Sequence, residues 1–507
     1  MTSTDNRAAW APLLASLDQR RRAARAMGGP ERLVRYRRGG GVDARERIER
    51  LLDAGTFVEL GTLAGDGTLA ADAFIAGSGL VEGRPVLVGA EDFTVAAGSI
   101  GVSNGSKRAR LAALAKQERV PLVMMLEGAG HRATNALSAH RPAPNDLLAL
   151  AELAGLVPTI SIVTGPSAGH GALAAPLSDF VVMVDGQAAL FTAGPPLVAA
   201  SLGENVSKEE LGGAAVHAVV SGVAHNVAGD TSAALSLARR YLSYFPSNAW
   251  QRSPRNDAVD GDTGKRSLES LLEIIPPNPR HPYDMRSVLA VLVDCGSLFE
   301  VQPGYGPSII TALARLGGQA VAVLANQPLV RTGAIDAAAA TKAARFIEIT
   351  SAFHLPIVML ADNPGVLPGS ASERAGILRA AARMFVAQHR CGVPKLHVTV
   401  RKAFGFGSSV MGMNAYDNQT VSLAFPGVML GGMPAAVGGR TAKEDDETQR
   451  ALVENEAAGP WRLAGSVTYD EVIDPRELRD ALLAGLRLAQ ARLTGPVKPV
   501  ARTGYLP

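Results

Sequence analysis

Two stretches of the chain repeat one order of apolar and polar positions. From Lys107, the sequence KRARLAALAKQERVPLVMML places apolar residues at helical spacing and then, after Pro121, in a short continuous run. From Lys342, KAARFIEITSAFHLPIVMLA repeats this pattern, with Pro356 in the place of Pro121. A short apolar run of this kind is typical of a strand buried on both faces of a sheet. Each stretch therefore predicts a helix followed by a buried strand in a layered α/β domain.

The repetition extends to both sides of these stretches. Residues 80–101, LVEGRPVLVGAEDFTVAAGSIG, match residues 315–336, RLGGQAVAVLANQPLVRTGAID, at the same shift of 235 positions. After one inserted residue, TGPSAGHGALAAP from Thr164 matches VRKAFGFGSSVMG from Val400. Self-similarity on this scale indicates a duplicated structural unit. We therefore predict two homologous α/β halves.

Composition predicts the boundary between the halves. The length of 507 residues is too great for one ordinary core and agrees with two large domains. Residues 245–267, FPSNAWQRSPRNDAVDGDTGKRS, are rich in Pro, Asn, Asp and Gly, which is typical of a linker with turns. We expect a helical N-terminal extension over residues 1–41, a first domain over residues 42–255 and a second domain over residues 270–507.

Composition also excludes several classes of protein. Hydrophobic residues make up 47% of the chain and charged residues 19%, as in folded globular proteins. The net charge of +3, without a basic run interleaved with aromatic residues, does not predict nucleic-acid binding. The two cysteines exclude a disulfide framework and a four-cysteine zinc site. The histidines lack ligand spacing apart from the nonspecific pair His131 and His140, so we expect no metal in this chain.

Neither the start of the sequence nor its interior predicts a membrane protein. The start, MTSTDNRAAW, has no apolar signal core, and we expect a cytoplasmic location. Residues 153–178 carry no charge and are long enough to cross a bilayer. They contain prolines and glycines that a lipid-facing helix does not accommodate. We interpret this window as a buried helix end, a buried strand and a glycine turn, and predict no membrane contact.

The repeated glycine turn is the candidate chemical feature. In one half it consists of Gly169, His170 and Gly171, and in the other of Gly405, Phe406 and Gly407. Backbone N–H groups at such a turn, before a helix, can converge on one oxygen and stabilise an enolate or oxyanion. One such donor contributes about 3 kcal/mol to lowering a barrier. Two turns therefore indicate a reaction in which two carbonyl-like partners both gain negative charge.

Two side chains near the first turn allow other interpretations. The motif GPSAG around Ser167 loosely resembles a nucleophile elbow, but the repeat has Ala403 at this position, so a serine nucleophile is less favoured. The ring of His170 either fills space beside its own N–H group or acts as a general base. The sequence leaves both roles of the ring open.

Several long motifs occur in an order that belongs to one family. They are DARERIERLLDAGTFVELG (43–61), EDFTVAAGSIG (91–101), PGYGPSIITALARLGGQAVAVLANQP (303–328), KAARFIEITSAFHLPIVMLADNPGVLPG (342–369) and VPKLHVTVRKAFGFGSSVMG (393–412). Through them nearly the whole chain resembles biotin-dependent carboxyltransferases. These are the β-type subunits of acyl-CoA carboxylases such as the propionyl-CoA and acetyl-CoA enzymes.

The resemblance implies a fold, an assembly and two substrates. The fold is α/β, with two tandem homologous crotonase-like (ClpP/crotonase) domains. The assembly is a homo-oligomer, a hexamer in this family, in which the first domain of one subunit faces the second domain of its neighbour. Acyl-CoA is the substrate of the first domain, and biotin binds the second. Because the chain has no Met-Lys-Met biotin motif and no ATP-binding segment, biotin carboxylase and the biotin carboxyl carrier are expected as separate partner subunits.

The resemblance also assigns roles to residues. Backbone N–H groups of Gly169 and His170 would hold the thioester enolate, and those of Phe406 and Gly407 would hold the ureido oxygen of biotin. Six further residues are expected to contact substrate: Ala129, Gly130, Gly171, Gly405, Ser408 and Ser409.

The sequence departs from the family at both turns. EGAGHR (127–132) stands where the family has Asp-Ser-Gly-Gly-Ala-Arg, and His170 and Phe406 each replace a glycine. The backbone N–H groups survive these changes, while the added bulk reshapes the acyl site. Two alternatives therefore stand beside the carboxyltransferase: a catalytically degenerate subunit that scaffolds a larger carboxylase, and a biotin-dependent acyl-CoA decarboxylase subunit.

Overall fold

The computed structural model describes residues 3–500, except 66, 68, 138–143, 257–261 and 263. The chain divides into two compact units, Met1–Leu242 and Ser243–Pro507. Part of the predicted linker and His140 lie outside the described residues.

The elements up to Tyr244 are α-helices, strands and short turns. The α-helices described there are α1 (Ser3–Arg25), α2 (Pro30–Arg38), α3 (Ala44–Leu51), α4 (Val102–Glu118), α5 (Asp146–Ala151), α6 (Pro195–Leu202), α7 (Lys208–Gly212) and α8 (Thr231–Tyr244). The strands are β1 (Val58–Leu60), β2 (Phe74–Val81), β3 (Arg84–Glu91), β4 (Leu122–Gly128), β5 (Thr159–Ala168), β6 (Phe180–Val184), β7 (Ala189–Phe191) and β8 (Asn226–Ala228). Short 3-10 or π turns cover Ala70–Ala73, Ala96–Gly98, Ala133–Leu137, Ala172–Ala174 and Val216–Ser221.

The second unit repeats the same order of strands. Its described helices are α9 (Leu271–Ile274), α10 (Met285–Leu292), α11 (Ala337–Ala352), α12 (Ser370–Arg374), α13 (Ile377–Arg390), α14 (Gly405–Val410), α15 (Ala435–Ala442), α16 (Asp446–Ala457), α17 (Trp461–Gly465), α18 (Leu478–Leu488) and α19 (Gln490–Leu493). Its strands are β9 (Phe299–Val301), β10 (Ile309–Leu316), β11 (Gln319–Asn326), β12 (Ile357–Asn363), β13 (Lys395–Phe404), β14 (Gln419–Ala424), β15 (Met429–Gly431) and β16 (Glu471–Val472). Further 3-10 turns cover Arg331–Gly333 and Pro475–Glu477.

The two sheets have the same topology. Among the described residues, the first sheet runs β1-β2-β3-β4-β5-β6-β8 with β7 paired to β5, and the second runs β9-β10-β11-β12-β13-β14-β16 with β15 paired to β13. The first three strands of each sheet are antiparallel, and the later pairs are parallel. The predicted α/β duplication is confirmed.

The apolar runs after the repeated prolines form the centre of each sheet. Every residue of β4 and of its counterpart β12 is buried. The strands are covered by helices, with α11 carrying buried positions at helical spacing that include Ala339, Ala343 and Ile347. Continuous apolar strands are stable here because both faces of each sheet are removed from water.

The carboxyl ends of the central strands carry a second repeated feature. Before each sheet's main helix, three consecutive residues adopt positive φ: Ala96, Ala97 and Gly98 in the first unit, and Arg331, Thr332 and Gly333 in the second. A Cβ at Gly98 would lie 2.3 Å from the carbonyl oxygen of Glu127, and one at Gly333 would lie 2.2 Å from that of Asp362. Both the left-handed backbone and the close approach therefore require glycine. These turns hold the loops that follow β4 and β12.

Candidate active site

The first glycine turn follows directly from the end of β5. Gly169 has φ of 55°, which bends the chain out of the strand. Its N–H donates to the carbonyl of Phe191 on β7 at 2.9 Å. The N–H groups of His170 and Gly171 have no acceptor among the described residues. The turn therefore presents two available donors, which are displaced by one residue from the pair, Gly169 and His170, that the sequence indicated.

The loop after β4 lies against this turn. Gly130 has φ of 77°, and a Cβ added to it would lie 2.6 Å from the carbonyl oxygen of Ala168. The N–H of Ala129 donates to Ala97 at 2.9 Å, and the carbonyl of Gly130 accepts from Ile100 at 2.7 Å. The structure thus brings Ala129 and Gly130 beside the turn, but the amide of Ala129 is already used.

The second turn is built in the same way at the end of β13. Gly405 has φ of 53°, and the residues from Gly405 to Gly407 form the first turn of α14, whose N–H groups have no acceptor within the helix. A Cβ at Gly407 would lie 2.3 Å from Oδ1 of Asn363 and 2.6 Å from Cα of Gly365. The loop after β12 is therefore packed onto this turn as closely as backbone allows.

The two serines of this turn differ in what they contact. The hydroxyl of Ser408 donates to the carbonyl of Gly405 at 2.6 Å, so it closes the turn. The carbonyl of Ser409 accepts from the amide of Gln388 on α13 at 3.1 Å. Both side chains are partly buried. They lie next to the N–H groups of Phe406 and Gly407 in the chain, where the sequence predicted substrate contacts.

A chain of four ionisable side chains ends at the first turn. Nε2 of His170 lies 2.6 Å from Oδ1 of Asp146, and the other oxygen of Asp146 accepts from Nε of Arg108 at 2.8 Å. Arg108 also donates to Oε1 of Glu91 at 2.8 Å. Asp146, Arg108 and Glu91 are buried, whereas the side chain of His170 is 34% exposed. The chain of contacts thus leads from the core to an exposed imidazole.

The pKa values of the two carboxyl groups in this set of contacts are shifted in opposite directions. Burial disfavours the charge on Asp146, but the hydrogen bond from His170 and the charge of Arg108 outweigh it, and the pKa of Asp146 lies below its usual value. Burial raises the pKa of Glu91, with Arg108 and the backbone N–H of Glu127 opposing that rise. Asp146 is therefore an ionised acceptor at neutral pH.

A second buried group supports the loop after β4. Glu127 Oε2 accepts from Arg47 at 2.9 Å and from the hydroxyl of Tyr36 at 2.5 Å, while the N–H of Glu127 donates to Glu91 at 2.6 Å. Arg47 also donates to the hydroxyl of Thr164 on β5. These contacts hold the ends of β3, β4 and β5 in one arrangement.

The second unit fills the equivalent position with a different set of contacts. Asp362, the counterpart of Glu127, accepts from Arg401 at 2.8 Å and from the hydroxyl of Tyr283 at 3.0 Å. Arg401 aligns with Gly165 of the first half, where a side chain would collide with Glu127. Each unit thus pairs one buried carboxylate with an arginine and a tyrosine, but takes the arginine from a different element.

Phe406 lies within an aromatic group on the surface of the second unit. It is 45% exposed, and its ring centroid lies 5.4 Å from that of Phe385 on α13. Phe385 in turn stacks on His389 at 6.2 Å. The turn thus combines available N–H donors with an apolar aromatic face.

Ser167 does not have the exposure of a nucleophile. Its hydroxyl is fully buried and has no hydrogen-bond partner in the described part of the chain. A catalytic serine must reach its substrate, so the structure argues against the nucleophile elbow that GPSAG suggested.

A cationic cavity opens in the first unit beside β5. It has a volume of about 510 Å³ and is lined by Arg32, Arg35 and Lys208, with Tyr36 on its wall. Residues 164–166 of β5 form another part of the lining. The cavity offers positive charge near the strand that ends in the first turn.

The described residues contain no cluster of three or more side chains suited to hold a metal ion. In the same part of the chain, no helix combines the length and the apolar character needed to cross a bilayer.

The charged groups behind the first turn were not predicted from the sequence. Glu91, Arg108 and Asp146 are far apart along the chain and share no local motif. One signal does mark them: Glu91 and Arg108 align with Asn326 and Ala343, so the charges are present in one half of the repeat and absent from the other.

Comparison with known proteins identifies the class. The carboxyl transferase domain family matches residues 35–501. The alpha subunit of methylmalonyl-CoA decarboxylase from Veillonella parvula is 35% identical over 481 residues, covering 92% of this chain and 94% of that protein. The propionyl-CoA carboxylase beta chain of Saccharopolyspora erythraea is 34% identical over 517 residues, covering 96% of this chain and 94% of that one.

A solved structure gives the same result for the fold. Transcarboxylase 12S, a hexamer whose structure contains hydrolysed methylmalonyl-CoA, superposes with a TM-score of 0.88 at 31% identity, over 97% of this chain and 98% of that one.

The chain therefore belongs to the carboxyl transferase family, and its two units are tandem crotonase-like domains. Within the family it is an enzyme of the carboxyltransferase type found in biotin-dependent acyl-CoA carboxylases, as the sequence motifs predicted.

Proposed function

We propose that this protein transfers a carboxyl group between N1′ of carboxybiotin and the α-carbon of an acyl-CoA, and that each unit holds one oxygen on its glycine turn. The observation that carries the proposal is the repeated turn with unused N–H donors at the end of β5 and again at the end of β13. A reaction with two partners that both gain charge on oxygen uses two such turns.

In the first unit, the N–H groups of His170 and Gly171 bind the thioester oxygen and stabilise the enolate. Gly169 supplies the left-handed bend, since its own N–H is donated to Phe191. Ala129 and Gly130 close the site from the loop after β4. Because these donors are backbone groups, the replacement of a family glycine by His170 leaves this function intact.

We assign the nucleotide end of CoA to the cationic cavity. Arg32, Arg35 and Lys208 provide positive charge for its phosphates. Pro166, on the cavity wall, is three residues from Gly169 along an extended strand, or about 10 Å. The cavity and the turn thus lie along one strand, so a single extended ligand can occupy both.

In the second unit, the N–H groups of Phe406 and Gly407 bind the ureido oxygen. The residues present fit this group, since unused donors lie next to the exposed aromatic face of Phe406 and Phe385, against which an apolar ring can pack. Biotin, carried on a separate subunit, supplies the carboxyl group when bound. Gly405 shapes the turn, and Ser408 and Ser409 contribute to acyl selection.

Several broader properties follow from the relatives and remain part of the proposal. We propose a homo-hexamer, because transcarboxylase 12S is a hexamer with nearly complete overlap with this chain. We also propose that the protein works in the cytoplasm with a biotin carboxylase and a biotin carboxyl carrier as partner subunits.

The decarboxylase direction is the second candidate. It is favoured by one observation, the 35% identity to a methylmalonyl-CoA decarboxylase subunit. The same two turns serve both directions, because the enolate and the ureido oxygen are common to them. The two functions therefore differ in partners and not in the residues of this chain.

The first test uses the purified protein with free biotin and a panel of malonyl-CoA and alkylmalonyl-CoA thioesters. Biotin-dependent release of CO₂ from one member is expected, and that member names the acyl group. A folded protein that releases CO₂ from none of them would overturn the proposal in favour of the scaffold subunit. Addition of biotin carboxylase, carrier, ATP and bicarbonate to the active thioester's parent acyl-CoA then separates carboxylase from decarboxylase.

A further inference from the structure

The side chains of His170, Asp146, Arg108 and Glu91 lie behind the proposed enolate turn and have no part in the function argued above. We infer that the imidazole of His170 is a catalytic acid–base group that removes the α-proton of the acyl-CoA at Nδ1. The inference rests on the proposed function, because it places the acyl thioester on the N–H groups of His170 and Gly171.

The hydrogen bonds determine which ring nitrogen is basic. Asp146 is ionised and can only accept, so Nε2 of His170 carries the hydrogen of their 2.6 Å contact. In the neutral ring the lone pair is then on Nδ1. No partner of Nδ1 is found among the described residues. A carboxylate held behind an imidazole in this way fixes the tautomer and stabilises the imidazolium that forms when the ring takes a proton.

The support behind Asp146 is rigid and buried. Arg108 bridges Asp146 and Glu91 with distances of 2.8 Å to each, and all three side chains are almost completely removed from solvent. Only the imidazole at the end of the chain is partly exposed. A buried set of contacts that ends in one accessible imidazole is the arrangement expected of a positioned base.

Covalent geometry places Nδ1 near the reacting carbon. Four bonds connect the backbone nitrogen of His170 to Nδ1, so the two atoms are about 3 to 5 Å apart in any rotamer. A thioester oxygen bound at about 2.9 Å from that N–H has its α-carbon only two bonds away. Proton transfer between the α-carbon and Nδ1 is therefore within reach for a substrate held on this turn.

The duplication provides an internal comparison. The second unit has the same fold and an equivalent turn, but Phe406, Ala343 and Asn326 stand at the positions of His170, Arg108 and Glu91. The position of Asp146 falls in the alanine run 380–382. The fold therefore forms without charged side chains at these positions. They occur only in the first unit, to which the acyl-CoA and the removal of its α-proton are assigned.

The proposed step balances within the site. The α-C–H bond breaks, its proton is bound by Nδ1, and its electron pair becomes the enolate on the turn. In the complete transfer the enolate carbon bonds to the carboxyl carbon as that carbon leaves N1′, and His170 returns its proton to N1′. Without carboxybiotin, the enolate takes back a proton from the imidazolium, which has exchanged with solvent.

This return of a solvent-derived proton to the α-carbon provides the test of the role of His170. The protein is incubated in D₂O with the acyl-CoA product of the active thioester, without biotin, and α-deuterium is measured by mass spectrometry. Wild type is expected to incorporate deuterium. His170→Gln, which can still bond to Asp146 but cannot carry a proton, is expected to reduce the rate at least 100-fold. Asp146→Asn is expected to reduce it about 10-fold, because the ring loses its fixed tautomer.

Two further measurements separate this role from a structural one. His131→Gln, on the exposed loop after β4, is the matched control and should exchange like wild type. The second measurement is the unfolding midpoint in urea, which should be the same for His170→Gln and wild type. Biotin-dependent CO₂ release runs the proposed transfer in reverse, so His170 takes the proton of N1′ there and His170→Gln should slow this reaction as well.

Each outcome decides one of the two ideas. Wild type that releases CO₂ with biotin but incorporates no deuterium without it overturns the inference and leaves the proposed function intact. The same holds if His170→Gln exchanges at the wild-type rate. Failure of wild type in both assays overturns the proposed function and this inference together.

Discussion

Replacement of Gly407 by alanine tests the second turn with a single added methyl group. The new Cβ would lie 2.3 Å from Oδ1 of Asn363 and 2.6 Å from Cα of Gly365, whereas ordinary contacts begin near 3.4 Å. Asn363 cannot rotate away freely. Its Oδ1 accepts from the N–H of Gly365 at 3.0 Å, and its Nδ2 donates to Asn326 at 3.1 Å. The turn itself must therefore move by roughly 1 Å.

A displacement of this size has a calculable effect on catalysis. A donor that moves from about 2.9 Å to about 3.9 Å from an oxyanion no longer forms a hydrogen bond. Loss of one such donor costs about 3 kcal/mol of transition-state stabilisation, which is roughly a 100-fold decrease in rate. We therefore expect Gly407→Ala to lower kcat/KM for biotin-dependent CO₂ release by about that factor.

The control and the refuting result are equally specific. Gly392, before the other end of β13, has open space where an added Cβ would lie and no positive φ, so Gly392→Ala should behave as wild type. If folded Gly407→Ala released CO₂ within about threefold of the wild-type rate, the N–H groups of this turn would not be the donors in the reaction, and the assignment of the biotin oxygen to it would be wrong.

Two further predictions concern stability. Arg108→Met leaves Glu91 and Asp146 without their buried cation and should lower the free energy of unfolding, measured in urea, by about 3–5 kcal/mol. Arg110 is exposed on the same helix, so Arg110→Met should change this free energy by less than about 0.5 kcal/mol. Equal effects of the two variants would contradict the ion pairs of Arg108. Burial lowers the pKa of Lys342 to about 7. Between pH 7 and pH 10 this lysine is therefore protonated in the unfolded chain but neutral in the folded one. Stability rises with pH in this range, and Lys342 contributes on the order of 3 kcal/mol to the rise. Lys342→Met should remove that part of the rise in urea midpoints, and an unchanged rise would show that the lysine is not responsible.

The features predicted correctly from the sequence are those that depend on residues close together in the chain. Apolar runs after Pro121 and Pro356 specify strands buried on both faces, because a strand of that composition is stable only inside a sheet. Glycines at 98 and 333 recur because a side chain there would collide with backbone. The repeat made these local signals stronger, since the same pattern occurred twice in phase.

The features that were missed depend on contacts between distant residues. The sequence indicated Gly169 as a donor, but the pairing of β7 with β5 places the carbonyl of Phe191 on its N–H. No local pattern specifies which strand will lie beside the end of β5. The backbone N–H groups that remain available are therefore those of His170 and Gly171.

The amino-acid sequence alone determined the duplication, the family and the position of both turns, because periodicity, glycine and proline act over a few residues. Only the tertiary structure decided which backbone N–H groups remain unused and which charges support His170. Asp146, Arg108 and Glu91 come from a helix start, a helix interior and a strand end. Their distances of 2.6 to 2.8 Å arise when these elements pack, because burial makes each charge depend on a partner elsewhere in the chain.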